Sequence, residues 1–452
     1  MAKSKTVFIC SECGNSQPKW LGRCPACGEW NTFTEQTAES SKGIPRQHSS
    51  AVALDSIGSS ETPRKPSGIP ELDRVLGGGI FPGSSVLVGG EPGIGKSTLM
   101  LQLSCAPGMN GVLYVSGEES AEQIGARAKR LGLKGEKTEV LCTTNLDSII
   151  DSIRSGKPEI AVIDSIQTIQ SQEAGPIAGS PNQIKYCCQN LIQEAKQRGT
   201  AIFLIAHVTK EGSIAGPKVI EHLVDTVLYF EQSESETRFL RAVKNRFGSV
   251  DEIGLFTMEA SGLIPVQDPS SLFLVKRPGT GNDVPPGIIV APVYEGSRIL
   301  LVELQALTIT AKGGMSRVFS DRIDSRRVSR VAAVLEKHAG IRLSDQDIYI
   351  NVAGGIKIQE VGVELPLAMA VYSARTNLSI PRDVTVAGEV SLSGEIRPIP
   401  HLKKRIQTAK EMGFARFLGP AVYRKGDKPN GPWEKASTVS EGVKQVFKRE
   451  GR

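Results

Sequence analysis

Residues Gly90-Glu91-Pro92-Gly93-Ile94-Gly95-Lys96-Ser97 read G-x-x-x-x-G-K-S, with Thr98 next. Glycines at these places let successive backbone N–H groups turn toward a phosphate. Lys96 supplies a mobile cation for the outer phosphates, and the Ser97 hydroxyl can ligate Mg2+. Residues 90–98 are therefore read as an ATP cradle. Three polar residues end apolar runs further along. Asp164 closes Ile160-Ala161-Val162-Ile163 and is the expected acid behind the Mg2+ shell. Glu118, after Val112-Leu113-Tyr114-Val115, is placed to polarise an attacking water, with Glu119 beside it as a substitute. His207, after Ala201–Ala206, can sense a γ-phosphate or pack as a capping histidine, and the sequence leaves both readings open.

A second chemistry stands at the start of the chain. Cys10-Ser11-Glu12-Cys13 and Cys24-Pro25-Ala26-Cys27 are two C-x-x-C pairs separated by ten residues. Cys10, Cys13, Cys24 and Cys27 together suit one tetrahedral Zn2+. A segment this small cannot bury a core unaided, so metal would hold it together. Trp20 and Trp30 are expected to cover the site. A redox pair is the alternative, but two matched pairs favour zinc.

Strand and helix patterns alternate around these residues. Val86-Leu87-Val88 leads into the phosphate loop, and a helix opens at Ser97. Glu122 to Leu131 has helical spacing. Ile184, Cys187, Cys188, Leu191, Ile192 and Ala195 mark one face of another helix. Thr226–Phe230 is a further apolar strand. Near-continuous apolar strands between helices predict an α/β fold whose parallel sheet is covered on both faces. Chemistry in such sheets collects at the carboxyl ends of the strands. After Phe239–Val243, Lys244 and Arg246 lie two apart, so on an extended strand end both point the same way.

The 452 residues are 39% hydrophobic and 23% charged, ordinary for a soluble globular protein of about two or three domains. No apolar run approaches the ~20 residues of a membrane span. Met1-Ala2-Lys3-Ser4-Lys5 has no long apolar stretch behind its charges, so no signal peptide is expected. The crowding of four of the eight cysteines into the first 27 positions argues for a reducing, cytoplasmic setting. The net charge of +6 is lopsided: Lys and Arg outnumber Asp and Glu 28 to 18 over residues 271–452, against 26 to 30 elsewhere. A basic C-terminal half is compatible with DNA or with a solvated basic surface.

Four stretches, taken in order, carry a resemblance. They are Cys10-Ser11-Glu12-Cys13-Gly14 with Lys19-Trp20-Leu21-Gly22-Arg23-Cys24-Pro25, then Glu91–Thr98, then Tyr114-Val115-Ser116-Gly117-Glu118-Glu119-Ser120, then Lys244-Asn245-Arg246-Phe247-Gly248. The chain resembles the RecA superfamily of ATPases and, within it, the RadA (Sms) family of bacterial DNA-repair proteins. That resemblance implies a DNA-dependent ATPase of the helicase type, active in recombination, DNA damage and stress response. It would assemble as a homo-oligomeric ring, a hexamer. It would translocate on single-stranded DNA, act on branched DNA by branch migration, and partner a RecA-type recombinase. It implies that Lys244 and Arg246 reach a neighbour's nucleotide or couple it to DNA, and that Lys210 and Lys218 contact DNA phosphates. An ATP-gated, non-motor DNA clamp or scaffold for the recombinase is one alternative, and an ATP-dependent protease is another.

Beyond about residue 270 the chain resembles the proteolytic domain of Lon protease, through Gly388–Ile399 and Leu402-Lys403. Lys403 matches the lysine of the Ser–Lys dyad. The stretch that should hold the nucleophile, residues 361–370, contains no Ser, Thr or Cys. A base without a nucleophile cannot cut peptides by this route. Arg317, Arg322, Arg326, Arg327 and Arg330 could instead track phosphates or form a solvated helix face. The expected organisation is a zinc module over 1–34, a linker over 35–65, a RecA-like P-loop ATPase domain over 66–268 and an α+β Lon-protease-like domain, proteolytically inactive, over 269–452.

Overall fold

The apolar runs of the middle of the chain become strands whose alternate side chains feed two cores. Val86 and Val88 join one buried cluster and Leu87 the other, so the sheet is covered on both faces. The computed structural model describes residues 6–10, 16–25, 28–37, 63–175, 177, 179–207, 220–232, 237–250, 252–275, 284–311 and 316–447. They fall into two compact units, 1–232 with 238–265, and 233–237 with 266–452.

In the zinc module, β1 (Thr6–Cys10) lies between β2 (Ser16–Gln17) and β3 (Phe33–Thr37), both antiparallel to it. Cys10 and Cys24 are buried together with Phe33, and Phe8 packs on them. Cys13 and Cys27 lie outside the described residues, as does most of the expected linker. Trp20 and Trp30 do not cover the site. They are 53% and 66% exposed and flank Gly22 on the surface.

The large sheet contains β4 (Ser85–Gly90), β5 (Val112–Ser116), β6 (Thr138–Cys142), β7 (Ile160–Asp164), β8 (Ala201–His207), β9 (Thr226–Gln232), β10 (Arg238–Asn245), β11 (Ile253–Glu259) and β12 (Gly262–Pro265). Their order is β12-β11-β10-β9-β4-β8-β7-β5-β6. The strands from β9 to β6 are parallel, as expected, but β10, β11 and β12 extend the sheet antiparallel. The sequence reading missed that extension because hairpin strands carry the same apolar residues as crossover strands. Around the sheet run α1 (Pro70–Val75), α2 (Lys96–Ser104), α3 (Ala121–Arg130), α4 (Leu146–Gly156) and α5 (Pro181–Arg198). Ser120 and Gln123 form a reciprocal capping box on α3. Pro181 starts α5 and Gly199, left-handed, stops it.

The C-terminal unit is a mixed α+β sheet. β13 (Ile288–Glu295) and β14 (Arg298–Thr310) form a hairpin. They are joined by β15 (Val318–Ser320), β16 (Gln346–Val352), β17 (Val384–Val386), β20 (Arg416–Pro420) and β21 (Glu434–Ala436) in the order β15-β16-β14-β13-β17-β20-β21. A small hairpin, β18 (Glu389–Val390) with β19 (Ile396–Arg397), stands apart from it. Its longer helices are α6 (Ser325–Ala339), α7 (Glu364–Thr376), α8 (Leu402–Glu411) and α9 (Val439–Val446), and a single turn of helix stands at Ser270–Phe273.

The expected phosphate track on α6 is not one surface. Arg317 holds Asp347 at 2.8 Å, while Arg327 and Arg330 both turn inward to Glu364, which is buried on α7. A buried carboxylate needs that compensation. Arg405 on α8 is fully buried, forked onto Glu360 and bonded to the carbonyls of Pro292 and Pro400. Its guanidinium lies against Gly362, in the stretch where the family comparison seeks a nucleophile. Removing Glu360 would leave a buried charge unpaired. Glu360→Ala should therefore cost about 3–5 kcal/mol in urea denaturation of the full chain, read on the transition of the C-terminal unit.

Candidate nucleotide site

Parallel register brings the strand ends level. Gly90 on β4 pairs with His207 on β8, and Ser116 on β5 with Asp164 on β7. Residues after these points must therefore share one edge of the sheet. The chain leaves β4 through the glycine loop and enters α2 at Lys96. Gly95, at φ +118°, caps that helix, and a Cβ there would meet Met258 Cε at 2.9 Å. That φ is one glycine takes without strain. The antiparallel extension steadies this loop: Arg238 donates to Ile94 O at 3.2 Å, and Gln102 of α2 exchanges hydrogen bonds with the Leu263 backbone.

Lys96 is 3% exposed. Its Nζ donates to Gly90 O at 2.8 Å and Glu91 O at 2.9 Å, and lies 3.2 Å from His207 Nδ1. Burial pulls its pKa down to about 8, against the opposing pull of Asp164 and Glu118. Asp164, also buried, accepts from Tyr114 Oη at 2.7 Å. Glu118 Oε1 accepts from Ser165 Oγ at 2.6 Å and stands 3.5 Å from His207 Nε2. His207 thus bridges the two, with Nδ1 toward Lys96 and Nε2 toward Glu118. Gln167 holds His207 through a reciprocal pair, Nε2 to His207 O and His207 N to Oε1, both 3.0 Å. Glu119 is tied to Arg127 on α3, so Glu118 is the acid left facing the cleft. Gly117 permits the close passage of the chain from β5 to Glu118, since a Cβ there would collide with Thr168.

The structure thus brings together Lys96, Glu118, Asp164 and His207. Lys244 and Arg246 stand elsewhere. Lys244 pairs with Val227, which pairs with Leu87, three residues before Gly90. At ~3.3 Å per residue, its backbone lies about 10 Å back from the loop along the sheet. Its Nζ donates to Glu221 O and Val224 O, both at 2.7 Å, pointing further away, while Arg246 reaches Asp225 Oδ1 at 3.3 Å. A bulge between Ala242 and Lys244 precedes the pair, and both side chains then turn to the same segment. The pentapeptide is clasped from behind. Asn245 bonds Val75 O, Phe247 stacks on Phe81 at 4.3 Å, Arg64 bonds the Phe247 and Leu76 carbonyls, and Gly248 packs tightly on Gly77, where a Cβ would come within 3.0 Å of the Gly77 Cα. Lys210 and Lys218 lie outside the described residues.

Sequence reasoning missed Tyr114, Ser165, Gln167 and Arg238. Ser165 and Gln167 follow Asp164 closely enough to have been suspected, whereas Tyr114 and Arg238 sit inside strand runs and gave no signal. Among the described residues, no helix is long and apolar enough to cross a membrane.

Three family models match in chain order. A rubredoxin metal binding domain covers residues 8–35, the KaiC ATPase family residues 65–141, and the subunit ChlI of Mg-chelatase family residues 321–422. The fold is accordingly a parallel-sheet RecA-like ATPase core with an N-terminal zinc ribbon and a C-terminal Lon-like domain. The DNA repair protein RadA of Treponema pallidum is 49% identical, over 99% of each chain. Those of Pseudomonas aeruginosa and Bacillus subtilis are each 44% identical, over 95% of this chain and 96% of theirs.

Lys96 holds its proton less firmly when folded, with a pKa of about 8 against the ordinary 10.5. Between those values the unfolded chain binds the extra proton, so stability rises with pH. Lys96→Met lacks that slope. In nucleotide-free thermal melts, wild type should gain stability relative to Lys96→Met as pH rises from about 8 to about 10, and parallel profiles would refute the shift.

Proposed function

The chain belongs to the RadA family of DNA repair proteins, and on that premise we propose that it is a Mg2+-dependent, DNA-stimulated ATPase that translocates on single-stranded DNA and drives branch migration in recombinational repair. The observation that carries this reading is the meeting of Lys96, Asp164, Glu118 and His207 at the carboxyl edge of the sheet. Nucleotide phosphates replace the Gly90 and Glu91 carbonyls around Lys96, whose charge they need. Ser97, in the first turn of α2, is an oxygen donor of the type Mg2+ takes, Asp164, at the end of β7, would hold the ion through water, and the metal would neutralise phosphate charge there. Glu118, oriented by Ser165, accepts the proton of the attacking water, with His207 reporting on the outer phosphate. Zn2+ would be held by the buried thiols of Cys10 and Cys24 with Cys13 and Cys27.

Lys244 and Arg246 act on a neighbour's nucleotide in a ring of six. Their placement about 10 Å behind this chain's own loop, aimed away from it, supports that assignment, by the logic of a cation supplied in trans. The C-terminal unit serves assembly and DNA rather than proteolysis, because residues 361–370 offer no nucleophile. Single-stranded and branched DNA and a RecA-type recombinase are the partners.

The direct test is ATP turnover and strand displacement on forked DNA. Wild type should hydrolyse ATP faster with DNA and open the fork. Lys96→Ala should do neither, and Glu118→Gln should bind nucleotide but turn over about 10²–10⁴-fold more slowly. Turnover indifferent to DNA would leave the clamp reading in its place. The in-trans assignment has its own check. Lys96→Ala and Arg246→Ala chains, each inactive, should recover about a quarter of wild-type turnover when assembled together at equal amounts, the random-neighbour expectation for a ring. No recovery would place the role of Arg246 elsewhere.

A further inference from the structure

Tyr114 lies in the middle of β5, one of the most buried strands of the sheet, and is 1% exposed. Phenylalanine would fill the same space. A buried phenol without a partner costs free energy, so its hydroxyl needs a reason to be there. Parallel register pairs Tyr114 with Val162, and Asp164 stands two residues further along β7 on the same face. The ring reaches forward along that face, and Oη donates to Asp164 Oδ2 at 2.7 Å. One oxygen of Asp164 is thereby committed to the protein and the carboxylate plane is set before any ligand arrives. The Asp164 carbonyl is fixed as well, by the Gly117 N–H at 2.9 Å.

We infer that Tyr114 is a positioning residue for the metal–nucleotide complex: its hydroxyl orients Asp164 so that a single carboxylate oxygen is presented to the divalent cation. This rests on the Mg2+-ATPase reading above. Outer partners that orient the carboxylates of a metal site change metal affinity by about 10–100-fold when removed.

The test is binding of Mn2+ in the presence of ADP, followed by electron paramagnetic resonance on the full chain. Three proteins are compared: wild type, Tyr114→Phe and Tyr229→Phe. Tyr229 is a control because its hydroxyl bonds Glu221, away from Asp164. Tyr114→Phe should bind Mn2+ at least about tenfold more weakly and require a correspondingly higher Mg2+ concentration for half-maximal turnover, while Tyr229→Phe binds as wild type. Unchanged Mn2+ affinity in a folded Tyr114→Phe protein overturns the inference. So does equal weakening in both variants, which would mark a loss of general stability. Failure of wild type itself to bind Mn2+–ADP would instead remove the ATPase reading, and this inference with it.

Discussion

An ammonium group enclosed at the mouth of a sheet is the constraint around which the N-terminal unit is arranged. Burying a charge is costly unless it is met by partners. Lys96 is met by two carbonyls of its own loop, by an imidazole, and by the field of two carboxylates. Each comes from a different strand end. The loop follows β4, His207 ends β8, Asp164 ends β7 and Glu118 follows β5. A parallel sheet with level registers supplies such convergence, and the crossover helices that make it parallel also cover its faces. The arrangement is self-satisfied: the two carbonyls that hold Lys96 are acceptors that phosphate oxygens can replace, so binding would exchange one set of acceptors for another.

Much of this was legible in the residues. The glycine spacing, Lys96 and Ser97 form a motif whose physics is local, and Asp164 declares itself by ending an apolar run. The choice between Glu118 and Glu119 was not legible, because it depends on Arg127 coming back from α3 to take one of them. Tyr114 was hidden for a different reason. In a run of four apolar residues its hydroxyl reads as tolerated rather than used, and only the register against β7 shows what it faces. Ser165 and Gln167 act through atoms that no spacing rule singles out.

Charge patterns were the least transferable signal. Five arginines within fourteen positions suggested a surface for phosphates, yet Arg327 and the half-exposed Arg330 are both paired with one buried glutamate. Linear sequence does not distinguish a cation facing solvent from one facing a carboxylate thirty-odd residues away. The tryptophans of the zinc module erred in the other direction. Their size suggested cover for a metal, and both stand outside. The antiparallel strands β10 to β12 were likewise unreadable as such, although they supply Arg238 and Leu263 to the phosphate loop and its helix.

The clasp behind the pentapeptide bears on where the ATPase unit begins. Arg64 bonds the carbonyls of Leu76 and Phe247, and Lys65 ladders with Ile80 while pairing with Glu159. A protease that nicked the chain just after Lys65, or a truncation chosen there because the preceding stretch looks featureless, would keep every residue of the phosphate loop. It would nonetheless untie the backbone that carries Lys244 and Arg246. Trimmed in that way, the unit would retain its phosphate loop but lose its hold on the strand end that carries Lys244 and Arg246.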